Sequence, residues 1–194
     1  IRGASPAHDA AGSDVRVLQV RRAVAVEGQH AVPLEDDVLH AALREIGKGA
    51  PYRDGVVVFL DGDTIIEPGF FNRVLPLFRL EPAVAAVTTN EHGYVKGPGW
   101  FAEWISLRFG LRHRTMCSVA LSGKLLCLTG RLSVFRASVA TAPSFLAQVE
   151  RDVIEHWLWG SFEMLSGDDK STWFWLSRHG CRMLYVPDAK VTTI

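Results

Sequence analysis

Two pairs of acidic residues stand where the chain pattern could put them to chemical use. Asp61-Gly62-Asp63 closes a run of five apolar residues, Val56 to Leu60, that reads as a strand buried on both faces. Two carboxylates one residue apart in an extended turn can converge on a hard cation such as Mg²⁺ or Mn²⁺. Such a cation takes oxygen ligands and shares them with substrate phosphates. Gly62 lets the backbone come close. The same letters also suit an ordinary Asp-Gly turn between strands. The second pair, Asp168 and Asp169, sits in Ser166-Gly167-Asp168-Asp169-Lys170-Ser171 at the start of a helical pattern. One of the two could be a general base for an acceptor hydroxyl, held ionised by the helix N-terminus and Lys170. Equally, both could serve only as an N-cap and partner of the helix dipole.

The elements that must position these acids follow from periodicity. Val15 to Val20 alternates apolar and polar, as a half-covered strand does. Val38, Leu39, Ala42, Leu43 and Ile46 give a helix from Glu35 to Ile46, stopped by Gly47 and Gly49. Val56 to Leu60 is the next strand, and Pro68 opens a helix with Phe70, Phe71, Val74, Leu75 and Phe78 on its apolar face and Pro76 as a possible kink. Ala83 to Thr88 is a further strand, so residues 15–88 read β-α-β-α-β, which predicts a parallel sheet.

Beyond Thr89, Trp100 to Arg114 forms an apolar helix with a basic end. It suits either a core helix with a solvated tip or a helix lying at a membrane interface, where Trp and Arg are favoured together. Leu125 to Phe135 reads as a strand broken at Thr129-Gly130. Pro143 to Trp159 and Asp168 to Arg178 read as helices, the second closed by Gly180, and Arg182 to Val186 as a last strand.

Composition narrows the classes. The 194 residues are 48% hydrophobic and 22% charged, which fits one globular domain rather than a disordered or fibrous chain. Lys+Arg and Asp+Glu are both 21, so there is no bulk basic field for nucleic acid. No apolar run reaches the ~18 residues of a membrane span. Cys117, Cys127 and Cys181 show neither a disulfide nor a zinc spacing and are expected to be reduced, buried thiols. The chain begins without Met or a signal pattern and ends inside a strand-like run, and is expected to be an excised piece.

Taken together, three motifs are more specific. They are Leu60-Asp61-Gly62-Asp63-Thr64, Leu128-Thr129-Gly130-Arg131-Leu132-Ser133-Val134-Phe135-Arg136, and Leu165-Ser166-Gly167-Asp168-Asp169-Lys170-Ser171-Thr172-Trp173, followed by a closing Met183-to-Asp188 strand. From Val15 to Ile194 this series resembles processive family-2 glycosyltransferases, most of all the alginate-polymerising, mannuronan synthase branch. The resemblance implies an α/β, Rossmann-like GT-A domain with a mostly parallel central sheet, N-terminally incomplete. In that scheme residues 1–194 form a single catalytic domain, with 1–14 as loop, 15–89 as the nucleotide and metal half and 90–194 as the acceptor half.

The resemblance also implies roles. Asp61 and Asp63 would hold Mg²⁺ or Mn²⁺ and the donor diphosphate, and Asp169 would be the base. Thr129, Gly130, Arg131, Asp168 and Lys170 would line the acceptor. Of the basic residues Lys96, Arg112, His113, Arg114, Lys124 and Arg131, only Arg131 is placed by motif; the others read as surface cations. Gly28-Gln29-His30 takes the place of the family's nucleotide-contacting Gly-Lys pair, and the QxxRW motif and membrane helices would lie beyond Ile194. The implied reaction is inverting transfer of a sugar, with GDP-mannuronate as donor, to the hydroxyl end of a growing polysaccharide. It would take place at the cytoplasmic face of the bacterial inner membrane, with a regulatory synthase subunit as a further partner.

Two other readings use the same residues. A haloacid-dehalogenase-like phosphatase would make Asp61 a covalent phosphoryl acceptor and place Asp168 and Asp169 in its later acidic group. A non-catalytic binding or assembly module would keep the fold without the metal.

Overall fold

In the computed structural model the described residues are 7–8, 14–15, 55–151, 153–163 and 168–194. The expected helix at 35–46, the rest of the strand begun at Val15, and Gly28-Gln29-His30 lie outside them. In the stretch expected to be loop, a two-residue strand β1 (Ala7–His8) pairs antiparallel with β2 (Asp14–Val15).

The central sheet has five strands: β3 (Val56–Leu60), β4 (Thr64–Ile66), β5 (Val84–Gly93), β6 (Leu132–Arg136) and β9 (Arg182–Thr193), in the order β3-β6-β5-β9-β4. β3, β5 and β9 run the same way, as the β-α-β pattern predicts. β6, however, is inserted in reverse between β3 and β5, and β4 runs against β9. The expected mostly parallel sheet is therefore mixed, and β5–β9 is its one parallel pairing among the described strands. A strand buried on both faces shows the same apolar run whichever way it points, so direction is not written in the pattern.

Burial alternates across this sheet. Val57 and Phe135 face a core layer with Met116, Phe145, Trp175 and Leu176. Val58, Leu60, Leu132 and Val134 face a second layer with Phe70, Val74 and Phe78. Helix α1 (Phe70–Leu80) supplies the second layer. α2 (Gly99–Ala120), the short α3 (Ala137–Ala140), α4 (Pro143–Arg151) and α5 (Asp168–Arg178) supply the first. The helix expected to open at Pro68 starts at Phe70 behind Gly69, whose φ of 76° only glycine adopts readily. Arg136 caps the far end of α1, donating to the carbonyls of Phe78 (2.9 Å) and Glu81 (3.3 Å), and it also bonds that of Val84 (2.9 Å).

Other expectations shift. Residues 125–131 are a loop, and strand begins only at Leu132. The strand expected to stop at Thr88 continues to Gly93, and the last strand runs to Thr193 rather than Val186. The helix expected over 143–159 ends at Arg151 and gives way to a hairpin, β7 (Val153–His156) and β8 (Gly160–Glu163). Phe145, Val149, Val153 and Trp157 keep a helix-like spacing of four across this break. β-branched Val153 and Ile154 favour strand, and Gly160 at φ 73° closes the turn. The three thiols are free, as expected, but half-buried rather than buried.

The sheet must also curl. β3 and β4 lie at opposite ends of the strand order but are joined by three residues, a reach of about 14 Å against ~19 Å for four strand spacings. The β5–β9 ladder carries the irregularity that allows it: between Thr89 and Asn90 the partner skips from Val186 to Lys190, passing Pro187, which has no N–H to give.

α2 packs on β5 and β9, and among its residues only Met116 is fully buried. Its outward side carries Trp100, Trp104, Leu107 and Leu111, all exposed. The helix comes very close to the end of β5: a Cβ on Gly93 would lie 2.6 Å from Phe109 Cε2 and 2.9 Å from Ile105 Cγ2. Gly93→Ala should therefore push α2 off the sheet and destabilise the protein by about 1–3 kcal/mol, measurable as a lower urea midpoint at unchanged slope.

Candidate active site

The β3–β6 pairing carries the acidic turn to its partners. Beyond the last paired residues, the Asp61 N–H donates to the Arg131 carbonyl (3.0 Å), so the 129–131 loop lies alongside the turn. The Thr64 N–H closes that turn on the Asp61 carbonyl (3.2 Å), and the Ile194 N–H donates to the Asp63 carbonyl (3.0 Å). Asp61 is half-buried and Asp63 exposed.

The 129–133 turn is held from inside. Thr129 is buried, and its hydroxyl donates to the Leu132 carbonyl (2.9 Å) while accepting from the Thr88 hydroxyl (3.3 Å). Ser133 Oγ donates to the Thr129 carbonyl (2.7 Å). The Thr129 side chain thus faces the core, and Gly130 is the exposed residue of the turn.

α5 approaches the same glycine. Its anchors are Ser171, Thr172, Trp175 and Leu176, all buried, and the Trp173 indole N–H, which donates to the Leu125 carbonyl (2.9 Å). These place half-buried Asp169 in the first turn, while Lys170 is exposed. Asp168 opens the helix; its side chain, with Ser166 and Gly167, lies outside the described residues.

A Cβ placed on Gly130 would lie 3.9 Å from Asp61 Oδ2 and 3.9 Å from the Asp169 Cβ. Residues 61 and 169, more than a hundred positions apart, therefore flank one gap that the missing side chain leaves open. Three expected site residues, Asp61, Gly130 and Asp169, come together, and Arg131 is next to them. Asp63 and Lys170 are exposed to solvent, and Thr129 acts through its backbone neighbours.

Charge beside this gap is organised by a residue that the sequence pattern did not single out. Glu91, in β5 and 2% exposed, accepts from Arg112 Nη1 (2.7 Å) and Arg131 Nη1 (3.1 Å) on a single oxygen, Oε2. The Arg131 guanidinium also lies 5.2 Å over the Phe109 ring. Arg112 is therefore no free surface cation, and neither is His113, whose Nδ1 sits 2.7 Å from the Tyr185 hydroxyl. Burial pushes the Tyr185 phenol well above its ordinary value; Cys117 and Glu91 add to the rise and Arg112 opposes it. Lys96, Arg114 and Lys124 are exposed. Asn90-Glu91-His92 looks like the polar exit of a strand, so only the continuation of β5 to Gly93 reveals Glu91 as buried.

Comparison with known proteins identifies the family. The family model described as "Glycosyltransferase like family 2" matches residues 6–194. The chain is 46% identical over 158 residues to "Glycosyltransferase alg8" of Pseudomonas syringae pv. tomato, covering 81% of this chain and 32% of that protein. It is 41% identical over 166 residues to "Glycosyltransferase alg8" of Azotobacter vinelandii, with the same coverage, 81% and 32%. The chain thus spans about a third of the length of the curated relatives it matches. Since the match runs through the β3 turn, the Gly130 loop and the start of α5 alike, the chain belongs to glycosyltransferase family 2.

Proposed function

We propose that the chain is the catalytic domain of a processive, inverting transferase. It moves a sugar from a nucleotide-sugar donor, with GDP-mannuronate the first choice, to the hydroxyl end of a growing polysaccharide. The observation that carries this reading is the open space at Gly130, where a Cβ would lie 3.9 Å from both Asp61 Oδ2 and the Asp169 Cβ. Residues 15–89 supply the donor side and 90–194 the acceptor side of one domain. The phosphatase alternative has no support in a family match that spans 6–194.

Asp61 and Asp63 fit a divalent cation of the Mg²⁺ or Mn²⁺ kind. Among the described residues no three His, Cys, Asp or Glu side chains gather into a closed metal cage. A hard cation that keeps waters and takes one or two carboxylates plus substrate phosphates needs no such cage. When bound, the cation would neutralise charge on the departing diphosphate. Asp169 accepts the proton of the attacking hydroxyl, and Gly130 leaves the acceptor's last sugar room between the two acids. Arg131, Lys170 and Asp168 border that sugar, and Thr129 holds the turn that presents it. Bringing donor and hydroxyl into one gap replaces a bimolecular encounter with a positioned one.

The reading places this domain at the cytoplasmic face of the bacterial inner membrane, beside a regulatory synthase subunit. Among the described residues no helix is long and apolar enough to cross a membrane. α2 supports contact with a lipid surface instead: Trp100, Trp104, Leu107 and Leu111 recur at helical spacing on its exposed side, with Arg108 and Arg114 also exposed on the same helix.

Three outcomes test this. Asp169→Asn in the intact protein should abolish polymer formation while leaving donor affinity largely intact, and unchanged synthesis would reject the base. Gly130→Ala meets only ordinary contacts at 3.9 Å, so it should leave the melting temperature unchanged yet cut turnover at least about tenfold by filling the gap. Manganese titration followed by intrinsic Trp fluorescence should show binding strengthened by GDP, and Asp61→Asn should lose that response.

A further inference from the structure

A cavity beside α2 plays no part in the reaction as drawn. It has a volume of about 330 Å³ and is lined by Arg108, Leu111, Arg112 and Thr115 of α2 and by Leu126 and Cys127 of the loop that leads to Gly130. An apolar lining with a few polar groups, at this size, is the usual make-up of a small-ligand site. Arg108, Arg112 and Thr115 stand at i, i+4 and i+7 and so share one side of the helix. Like charges four apart work against a helix. Among the described residues Arg108 is paired with no acid; its guanidinium lies 5.0 Å over the Trp104 ring. Arg112 gives Nη1 to Glu91 and keeps 29% of its side chain exposed. Arg131 leans on the same Glu91 carboxylate, so one positive charge is left over next to the cavity.

Two short links tie this cavity to the Gly130 turn. Cys127 is three residues before Gly130, a reach of about 11 Å at most. Arg112 Nη1 and Arg131 Nη1 meet on one oxygen, Glu91 Oε2, and are therefore close neighbours. A polymer whose last sugar sits at Gly130 has the cavity within reach of the units behind it. The lining favours an anion carried on a ring. A guanidinium fork matches a carboxylate with two hydrogen bonds and keeps its charge at every working pH. The Thr115 hydroxyl donates to the Leu111 carbonyl (2.9 Å) and retains lone pairs to accept from a sugar hydroxyl.

We propose that this cavity is a subsite for the growing polysaccharide, in which Arg108 and Arg112 bind the carboxylate of a uronate unit behind the one at Gly130. The inference rests on the transferase reading above and deepens it, giving the acceptor as well as the donor a uronate chemistry.

The test reads binding, which needs no turnover. Short oligomannuronates are titrated calorimetrically into the intact protein, with their carboxyl-reduced, neutral counterparts as control. Arg108→Gln removes a guanidinium that has no ion pair to lose, so the melting temperature should be unchanged. Its affinity for the oligomannuronate should fall at least about tenfold, with GDP affinity within about twofold and the neutral oligomer bound as by the parent. Arg108→Lys, which keeps the charge without the fork, should lose less. Leu126→Glu, at an exposed position on the cavity wall, sets a carboxylate against the incoming one and should weaken the oligomannuronate likewise.

Oligomannuronate affinity within about threefold of the parent in Arg108→Gln overturns the proposal, and so does a parent protein that does not bind the oligomer. An equal loss for the neutral oligomer also overturns it, since no carboxylate would then be read. Weaker binding to phosphatidylglycerol vesicles with oligomannuronate affinity intact overturns it in favour of a lipid headgroup. Asp169→Asn, assayed alongside for polymer formation, keeps the two levels apart. Synthesis surviving there rejects the transferase reading of that acid, while the subsite stands or falls by the oligomannuronate titration.

Discussion

The antiparallel entry of β6 between β3 and β5 is the constraint on which the site depends. Had β6 joined the sheet at an edge, or in the parallel sense, the Gly130 turn would sit away from the carboxyl end of β3. Instead the ladder continues past Leu60–Leu132 into the bond from the Asp61 N–H to the Arg131 carbonyl. The loop before β6 is thereby registered residue by residue on the acidic turn after β3. An open α/β sheet gathers its loops beyond the carboxyl ends of its strands. Here one reversed strand brings its own entry loop to that same rim.

Around that register the packing is divided by sheet face. α1 covers one side with Phe70, Val74 and Phe78, while α2, α3, α4 and α5 cover the other with Met116, Ala137, Phe145, Trp175 and Leu176. α5 is gripped by its core residues and by the Trp173 bond to Leu125, so Asp169 is carried on a rigid element rather than a free loop. α2 is different in kind. Its inner side meets the sheet so closely at Gly93 that no Cβ fits, and its outer side leaves two tryptophans and two leucines in the open.

The electrostatics follow the same geometry. A carboxylate with no solvent-exposed surface is costly unless paired. Glu91 is paired twice, once with the helix behind the sheet and once with the turn that borders the gap. Tyr185 and His113 continue this polar seam between β9 and α2. α2, β5 and the Gly130 turn are therefore linked by charge as well as by packing.

What the sequence determined by itself is local. An apolar run ending in DGDT marks a buried strand and the acid turn after it. The spacing from Asp168 to Arg178 marks a helix carrying an acid in its first turn, and Gly180 closes it at φ 64°. Each of these depends on a few neighbouring residues, because side-chain period and dihedral preference are properties of short segments. The tertiary structure alone decided the direction of β6, the break of the expected 143–159 helix into a hairpin, the extension of β5 to Gly93, and the meeting of Asp61, Gly130 and Asp169. It also made Glu91 a buried partner of two arginines rather than the polar end of a strand. The physical reason is that strand direction, burial of a charge and convergence across a hundred residues are fixed by pairing and desolvation between distant segments, and these leave no periodic trace in either segment alone.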